Sequence, residues 1–278
     1  MSGLISELEA VKDDETGQRP VAKVYRKETL NTGDFTPLMA EMLVACYPHE
    51  GHSEHEETIF KVKPQASGLR LSKKPNDALW MAPLLERDPN LYVIAMMRDP
   101  RSVICSMHKA WPGMYFCNYP VWKRAEKAIT EIQAHPRVMV LRYEDLVSDP
   151  KGVQQRMEDI FPFLQRSHDF DRFHEVAEAG EDAQNALGGL RQVDLSRIAG
   201  WREHLPRLKQ QLQRYPQLAQ DLITHGYESN NDWQAQLEGV TAETFPCRYS
   251  DSSEFWKHLE QKLRFIGKRR HYFRDRGL

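Results

Sequence analysis

Seven apolar residues in a row, Leu91-Tyr92-Val93-Ile94-Ala95-Met96-Met97, run without polar alternation and are broken off by Arg98-Asp99-Pro100. A strand with one face in water alternates apolar and polar residues, whereas an unbroken run fits a strand covered on both faces of a parallel sheet. A second such run, Val138-Met139-Val140-Leu141, follows a helical segment from Trp122 to Ala134. Strand, helix and strand in this order make a βαβ unit. The expected fold class is α/β, a three-layer αβα arrangement around a central, mostly parallel sheet.

The remaining elements are weaker. Val21–Tyr25 and Thr58–Val62 read as short strands, residues 35 to 47 as a buried helix with Pro37 in its first turn, and Asn76 to Leu85 as a helix capped by Asn76. Beyond Pro150 the chain turns helical, over Val153 to Phe161 and then over Leu208 to Thr224, with Gly226 as the closing cap. A chain of 278 residues fills one large core. Residues 1–228 are therefore expected to form one domain, with 1–20 as a flexible or partly helical lead-in. Residues 229–278 show no sheet pattern and are expected to pack on that domain as an extension.

Bulk properties exclude several partners. The 38 basic and 40 acidic residues leave a net charge of -2, so no global field draws the chain to nucleic acid or an anionic membrane, and any anion site is local. The first twenty residues are acidic and polar where a secretory signal needs a basic start and an apolar run, and no apolar stretch is long enough to span a bilayer. The four cysteines are widely spaced with no CxxC pair. A reducing, cytoplasmic setting is the expectation. The histidines between His49 and His55 lack a second cluster to complete a metal shell, so no metal is expected. The basic run Lys268 to Arg276 reads as a solvated helix end in preference to a binding arm.

The chemistry concentrates at Arg98-Asp99-Pro100-Arg101-Ser102-Val103-Ile104-Cys105-Ser106, directly after the strongest strand. Ligands of open α/β sheets bind at the carboxyl ends of the strands. Arg98 offers a planar fork of donors to a phosphate, Pro100 opens a helix whose free N–H groups favour an anion, and Ser106 adds a hydroxyl two turns along it. The plainer alternative makes Arg98 a strand-end arginine paired with Glu144 or Asp145.

A buried strand followed by RDPRSVICS resembles the 3'-phosphate-binding segment of the sulfotransferases that use 3'-phosphoadenosine 5'-phosphosulfate (PAPS). The resemblance implies a P-loop-NTPase-like fold and makes Arg98 and Ser106 nucleotide ligands. Lys73-Lys74-Pro75-Asn76 is similar to the lysine-proline segment that carbohydrate-type members place before this strand, which would set Lys74 at the transferring sulfuryl group, with an ordinary exposed lysine as the equal alternative. Arg142-Tyr143-Glu144-Asp145-Leu146 looks like the family's YEDL turn, whose role is largely structural. Ser196-Arg197-Ile198-Ala199-Gly200-Trp201-Arg202 resembles the carboxyl-terminal part of bacterial members, so that Arg197 either reaches the 3'-phosphate or is a surface charge.

The family's opening loop, close to PKSGTTW, has no counterpart here. By position the nearest segment is Asn31-Thr32-Gly33-Asp34-Phe35-Thr36, which would set Thr32, Gly33 and Thr36 against the 5'-phosphosulfate. Its chemistry is poor, because Asn31 replaces a cation and Asp34 adds a negative charge among phosphate oxygens. The loop is divergent, or the chain starts beyond it, or it has been lost.

The implied activity is sulfuryl transfer from PAPS, without a metal, to a hydroxyl or amine of a small-molecule or glycan acceptor. The alternative is a catalytically degenerate nucleotide- or partner-binding protein on the same scaffold. A phosphoryl-transfer enzyme is disfavoured, since no GxxxxGK[ST] sequence occurs. Trp111, Tyr115, Phe116 and Tyr119 either line the acceptor site or pack the core, and His52, His55, Glu54, Glu56, Glu57 and His108 all remain candidates for the base.

Overall fold

The computed structural model describes residues 81–87, 89, 91–107, 113–161, 164, 166–177 and 195–249, helical or turn positions 39, 42, 43 and 45–47, and strand segments within residues 4–72. In chain order the strands are β1 (Leu4–Glu9), β2 (Val11–Lys12), β3 (Pro20–Val21), β4 (Lys23–Arg26), β5 (Thr58–Lys61), β6 (Gly68–Ser72), β7 (Leu91–Met97), β8 (Tyr115–Cys117), β9 (Val138–Arg142) and β10 (Cys247–Tyr249). The helices are α1 (Met81–Arg87), α2 (Pro100–Ile104), α3 (Tyr119–Ile132), α4 (Tyr143–Ser148), α5 (Pro150–Ile160), α6 (Phe173–Val176), α7 (Leu205–Arg214) and α8 (Gln217–Thr224). Tight 3-10 segments cover Phe170–Arg172, Leu195–His204 and Asp232–Leu237.

Six strands form the main sheet in the order β5-β4-β6-β1-β7-β9. The two unbroken apolar runs are β7 and β9, and they pair in parallel from Val93↔Val138 to Met97↔Arg142. Residues 93 to 96 of β7 are fully excluded from solvent. The fold is mixed α/β, and the expected mostly parallel sheet needs correcting. β1 runs antiparallel to both β6 and β7, and β4 runs antiparallel to β5. Residues 4–9 are likewise a strand and not a loose lead-in. Leu4, Ile5 and Leu8 recur at a spacing that a helix or a strand can use, and the unpaired edge of β7 decides the matter, because tertiary pairing overrides a weak local period.

The crossover from β7 to β9 passes through α3. Asn118 opens this helix by accepting the Val121 N–H at 3.4 Å, and Pro120 fits its first turn. Val121, Ala125, Ala128, Ile129 and Ile132 then form one buried stripe at helical spacing. α5 starts in the same way, with Pro150 in its first turn and the Asp149 carboxylate accepting the Gly152 N–H at 2.9 Å. A Cβ on Gly152 would lie 2.0 Å from Asp149 Oδ2, so this capping geometry needs glycine there.

The single helix expected over Leu208 to Thr224 is two helices. α7 stops at Arg214, Tyr215 swings to φ -135° and ψ 75°, and α8 restarts after Pro216. A proline clashes with a helical conformation at the residue before it, which is where the break falls. Gly226 adopts φ 68°, the left-handed conformation expected of a closing glycine. Beyond it, Trp233 and Leu237 are buried in the same core, and β10 pairs in parallel with β8. None of the described helices is long and apolar enough to cross a membrane.

A polar network locks α3 to α8. Lys123 Nζ lies 2.8 Å from Asp221 and 3.0 Å from Glu126, His225 Nε2 is 3.0 Å from Glu126, and the Tyr119 hydroxyl donates to Asp221 at 2.6 Å. Burial pushes the Glu126 carboxyl up, but the bonds from His225 and Lys123 outweigh it and hold it below the ordinary carboxylate range. A carboxyl held low in the folded state adds stability above its unfolded pKa, about 4.3, and loses it as pH falls through the folded value. Glu126→Gln is therefore expected to lower stability at pH 7 by about 1–3 kcal/mol. Urea unfolding should show that difference closing as the pH drops below about 4.

Candidate functional site

The register Met97↔Arg142 brings the ends of β7 and β9 to the same level, so the residues that follow leave the sheet side by side. Arg98 follows β7 and Tyr143 follows β9, and the Arg98 guanidinium carbon stands 4.3 Å from the Tyr143 ring centroid. One residue further, the Asp99 N–H donates to Glu144 Oε1 at 2.9 Å. Asp145 is engaged elsewhere, 3.6 Å from Arg156. Burial raises the Glu144 carboxyl above its usual range, with the Asp99 N–H and the Arg98 charge pulling against it. Arg98 itself is 7% exposed, which makes its surroundings a low-dielectric site where an anion gains more from a guanidinium than it would in water.

The amino end of α2 differs from the sequence expectation. Asp99 Oδ1 accepts the Arg101 N–H at 2.7 Å, and the Asp99 carboxylate also takes Arg101 Nη2 at 2.7 Å and Nε at 3.1 Å. The first free amide of this helix is satisfied by the protein's own carboxylate. The helix is also too short to carry Ser106, because α2 ends at Ile104 and Cys105 leaves helical geometry at φ -94° and ψ 3°. Ser106 sits in the following turn, half-buried, with its carbonyl accepting the Phe116 N–H at 2.9 Å. Arg98 and Ser106 therefore stand at opposite ends of a five-residue helix about 7.5 Å long.

Arg101 received no role from the sequence, and it organises the region. Its guanidinium lies 4.2 Å from the Trp201 ring and 5.0 Å from the Trp233 ring, and Nη1 donates to Glu228. The two tryptophans meet edge to face, with centroids 6.3 Å apart. One buried side chain thus ties α2 to three separate parts of the carboxyl-terminal region. The Ser102 hydroxyl adds a bond to the Ile198 carbonyl at 3.0 Å. That bond holds the 3-10 segment containing Arg197 against α2, although the Arg197 side chain lies outside the described residues. The pattern Asp-Pro-Arg was the only local signal for the clasp, since Trp201, Glu228 and Trp233 are remote in sequence.

Lys74, Thr32, Gly33 and Thr36 lie outside the described residues, as do Trp111 and the histidines between His49 and His55. Tyr115, Phe116 and Tyr119 are all buried and engaged in packing, which takes them out of an acceptor lining. The Tyr115 hydroxyl lies 3.0 Å from His204 Nδ1, and burial pushes that tyrosine up to about 12. Among the described residues no group of three or more His, Cys, Asp or Glu is gathered for a metal.

No curated protein and no solved structure matches the chain. A model of the sulfotransferase family matches residues 6–167, which is more than half of the chain and includes β7, the Arg98–Ser106 segment and β9. The chain belongs to the sulfotransferase family.

Proposed function

We propose that the protein binds a 3'-phosphorylated adenosine nucleotide through Arg98 and Ser106, and transfers the sulfuryl group of PAPS to a hydroxyl or amine acceptor of small-molecule or glycan type. The observation that carries the reading is Arg98 at the carboxyl end of a buried parallel strand, its guanidinium over the Tyr143 ring and the residue itself largely buried. A stacked guanidinium is held in one plane, which favours two-point recognition of a phosphate.

In this reading the acceptor oxygen or nitrogen attacks sulfur in line and gives up its proton, while the S–O bond to the nucleotide phosphate breaks. Negative charge then gathers on the departing phosphate, where a cation lowers the barrier. Lys74 is assigned that role, and the Thr32 to Thr36 segment, with Gly33, is assigned to the 5'-phosphosulfate. Arg197, in the segment tied to α2 by the Ser102 bond, is assigned to the 3'-phosphate.

The test is release of 3'-phosphoadenosine 5'-phosphate (PAP) from PAPS in the presence of a panel of alcohols, amines and glycans, with ATP as competitor. Acceptor-dependent release that ATP does not suppress supports the reading. Nucleotide binding with no release under any acceptor would favour the degenerate-scaffold alternative.

A further inference from the structure

A carboxylate at the Arg98 turn that the proposed function leaves unused is Glu144. The residue is half-buried, yet its Oε2 is shut off from solvent and has no hydrogen-bond partner among the described residues. Its other oxygen, Oε1, accepts the Asp99 N–H at 2.9 Å and so fixes the peptide immediately after Arg98.

We propose that Glu144 is a positioning residue for the nucleotide's 3'-phosphate: it holds the turn that aims Arg98, and it takes up a proton when the phosphate arrives beside that arginine. This inference rests on Arg98 being the phosphate ligand, as proposed above.

The charges that face Glu144 set its protonation. Burial pushes the Glu144 carboxyl up, the N–H groups of Asp99 and of Glu144 itself pull it down, the Asp99 charge at the start of α2 pushes it up, and Arg98 at the end of β7 adds a favourable field. Tyr227, which follows α8, is kept in its neutral phenol form first by burial and then by the Glu144 charge, with Arg142 at the end of β9 working the other way. Arg98 is thus the cation that, after those two N–H groups, favours the ionised form of a partly desolvated carboxylate. A phosphate dianion bound to Arg98 neutralises that field and adds repulsion of its own. The carboxylate then loses its counter-charge in a poorly solvated place, and protonation relieves it. The proton comes from solvent, one O–H bond forms on the orphaned Oε2, and Oε1 keeps the Asp99 N–H, so Arg98 stays aimed.

The test is calorimetric titration with PAP at pH 6.5 in buffers of different ionisation enthalpy, comparing wild type, Glu144→Gln and Glu144→Ala. The nucleotide's own ionisation is common to all three, so a difference in proton count belongs to residue 144. Wild type is expected to take up a sizeable fraction of a proton more than Glu144→Gln. The glutamine variant keeps the oxygen that accepts from Asp99 and should bind with unreduced affinity, whereas Glu144→Ala should bind roughly tenfold more weakly. Should the alanine variant not fold, the glutamine comparison decides alone. Equal proton counts in wild type and Glu144→Gln, with binding intact, would overturn this inference and leave the nucleotide reading standing. No binding by folded wild type would remove both.

Discussion

Arg101→Ala is expected to destabilise the protein by about 3–5 kcal/mol, as removal of one partner from a buried ionic cluster does. Arg101 is 3% exposed, and its substitution leaves Asp99 facing the interior without its bidentate partner. Glu228 loses its donor, and the faces of Trp201 and Trp233 lose the cation between them. The Asp99 cap on Arg101 N–H can persist, because that donor is backbone. The loss should therefore fall on the attachment of the carboxyl-terminal region and not on the sheet. Urea unfolding with tryptophan fluorescence measures it, and a variant within about 1 kcal/mol of wild type would show that the cluster contributes little. Arg101→Lys should recover only part of the loss, since an ammonium cannot fork onto a carboxylate while lying flat between two indole rings.

Arg98→Ala is the contrasting case. Its guanidinium rests on the Tyr143 ring, and a contact of that kind is worth about 0.5–2 kcal/mol, so the fold should survive its removal. Affinity for PAP should fall roughly 100-fold, as expected when two charge-assisted hydrogen bonds to a phosphate are lost. Arg98→Lys should not restore it, because a point charge does not reproduce the planar fork. Equal affinity in the wild type and Arg98→Ala would take the phosphate away from this residue.

The opposite fates of Arg98 and Arg101 show how far the sequence can be read. Both are buried arginines of one short motif, and the sequence pattern points to phosphate chemistry at the first while leaving the second silent. The β7 run and the βαβ order announced themselves because burial on both faces imposes an unbroken apolar composition. That same pairing is what sets Arg98 beside Tyr143, so the core of the candidate site was legible. Arg101 was not, since its partners Trp201, Glu228 and Trp233 are about 100 or more residues away and no local period marks them. Ser106 reads from the sequence as a helix residue, because nothing in Val103-Ile104-Cys105 announces a helix end; the close comes from tertiary contact with β8. β1 was hidden for a related reason, a six-residue segment whose apolar spacing suits two conformations and whose partner strands lie about 60 or more residues away. Pro216, by contrast, was a local signal for the α7 to α8 break that the apolar period obscured.

The central claim is that Arg98 and its surroundings read a 3'-phosphate. Calorimetric titration of wild-type protein with PAP, set against adenosine 5'-phosphate lacking the 3'-phosphate, tests it most directly. The account predicts saturable binding of PAP that is roughly 10- to 100-fold tighter than binding of adenosine 5'-phosphate. Equal affinity for the two nucleotides, or no binding of either by folded protein, would contradict it.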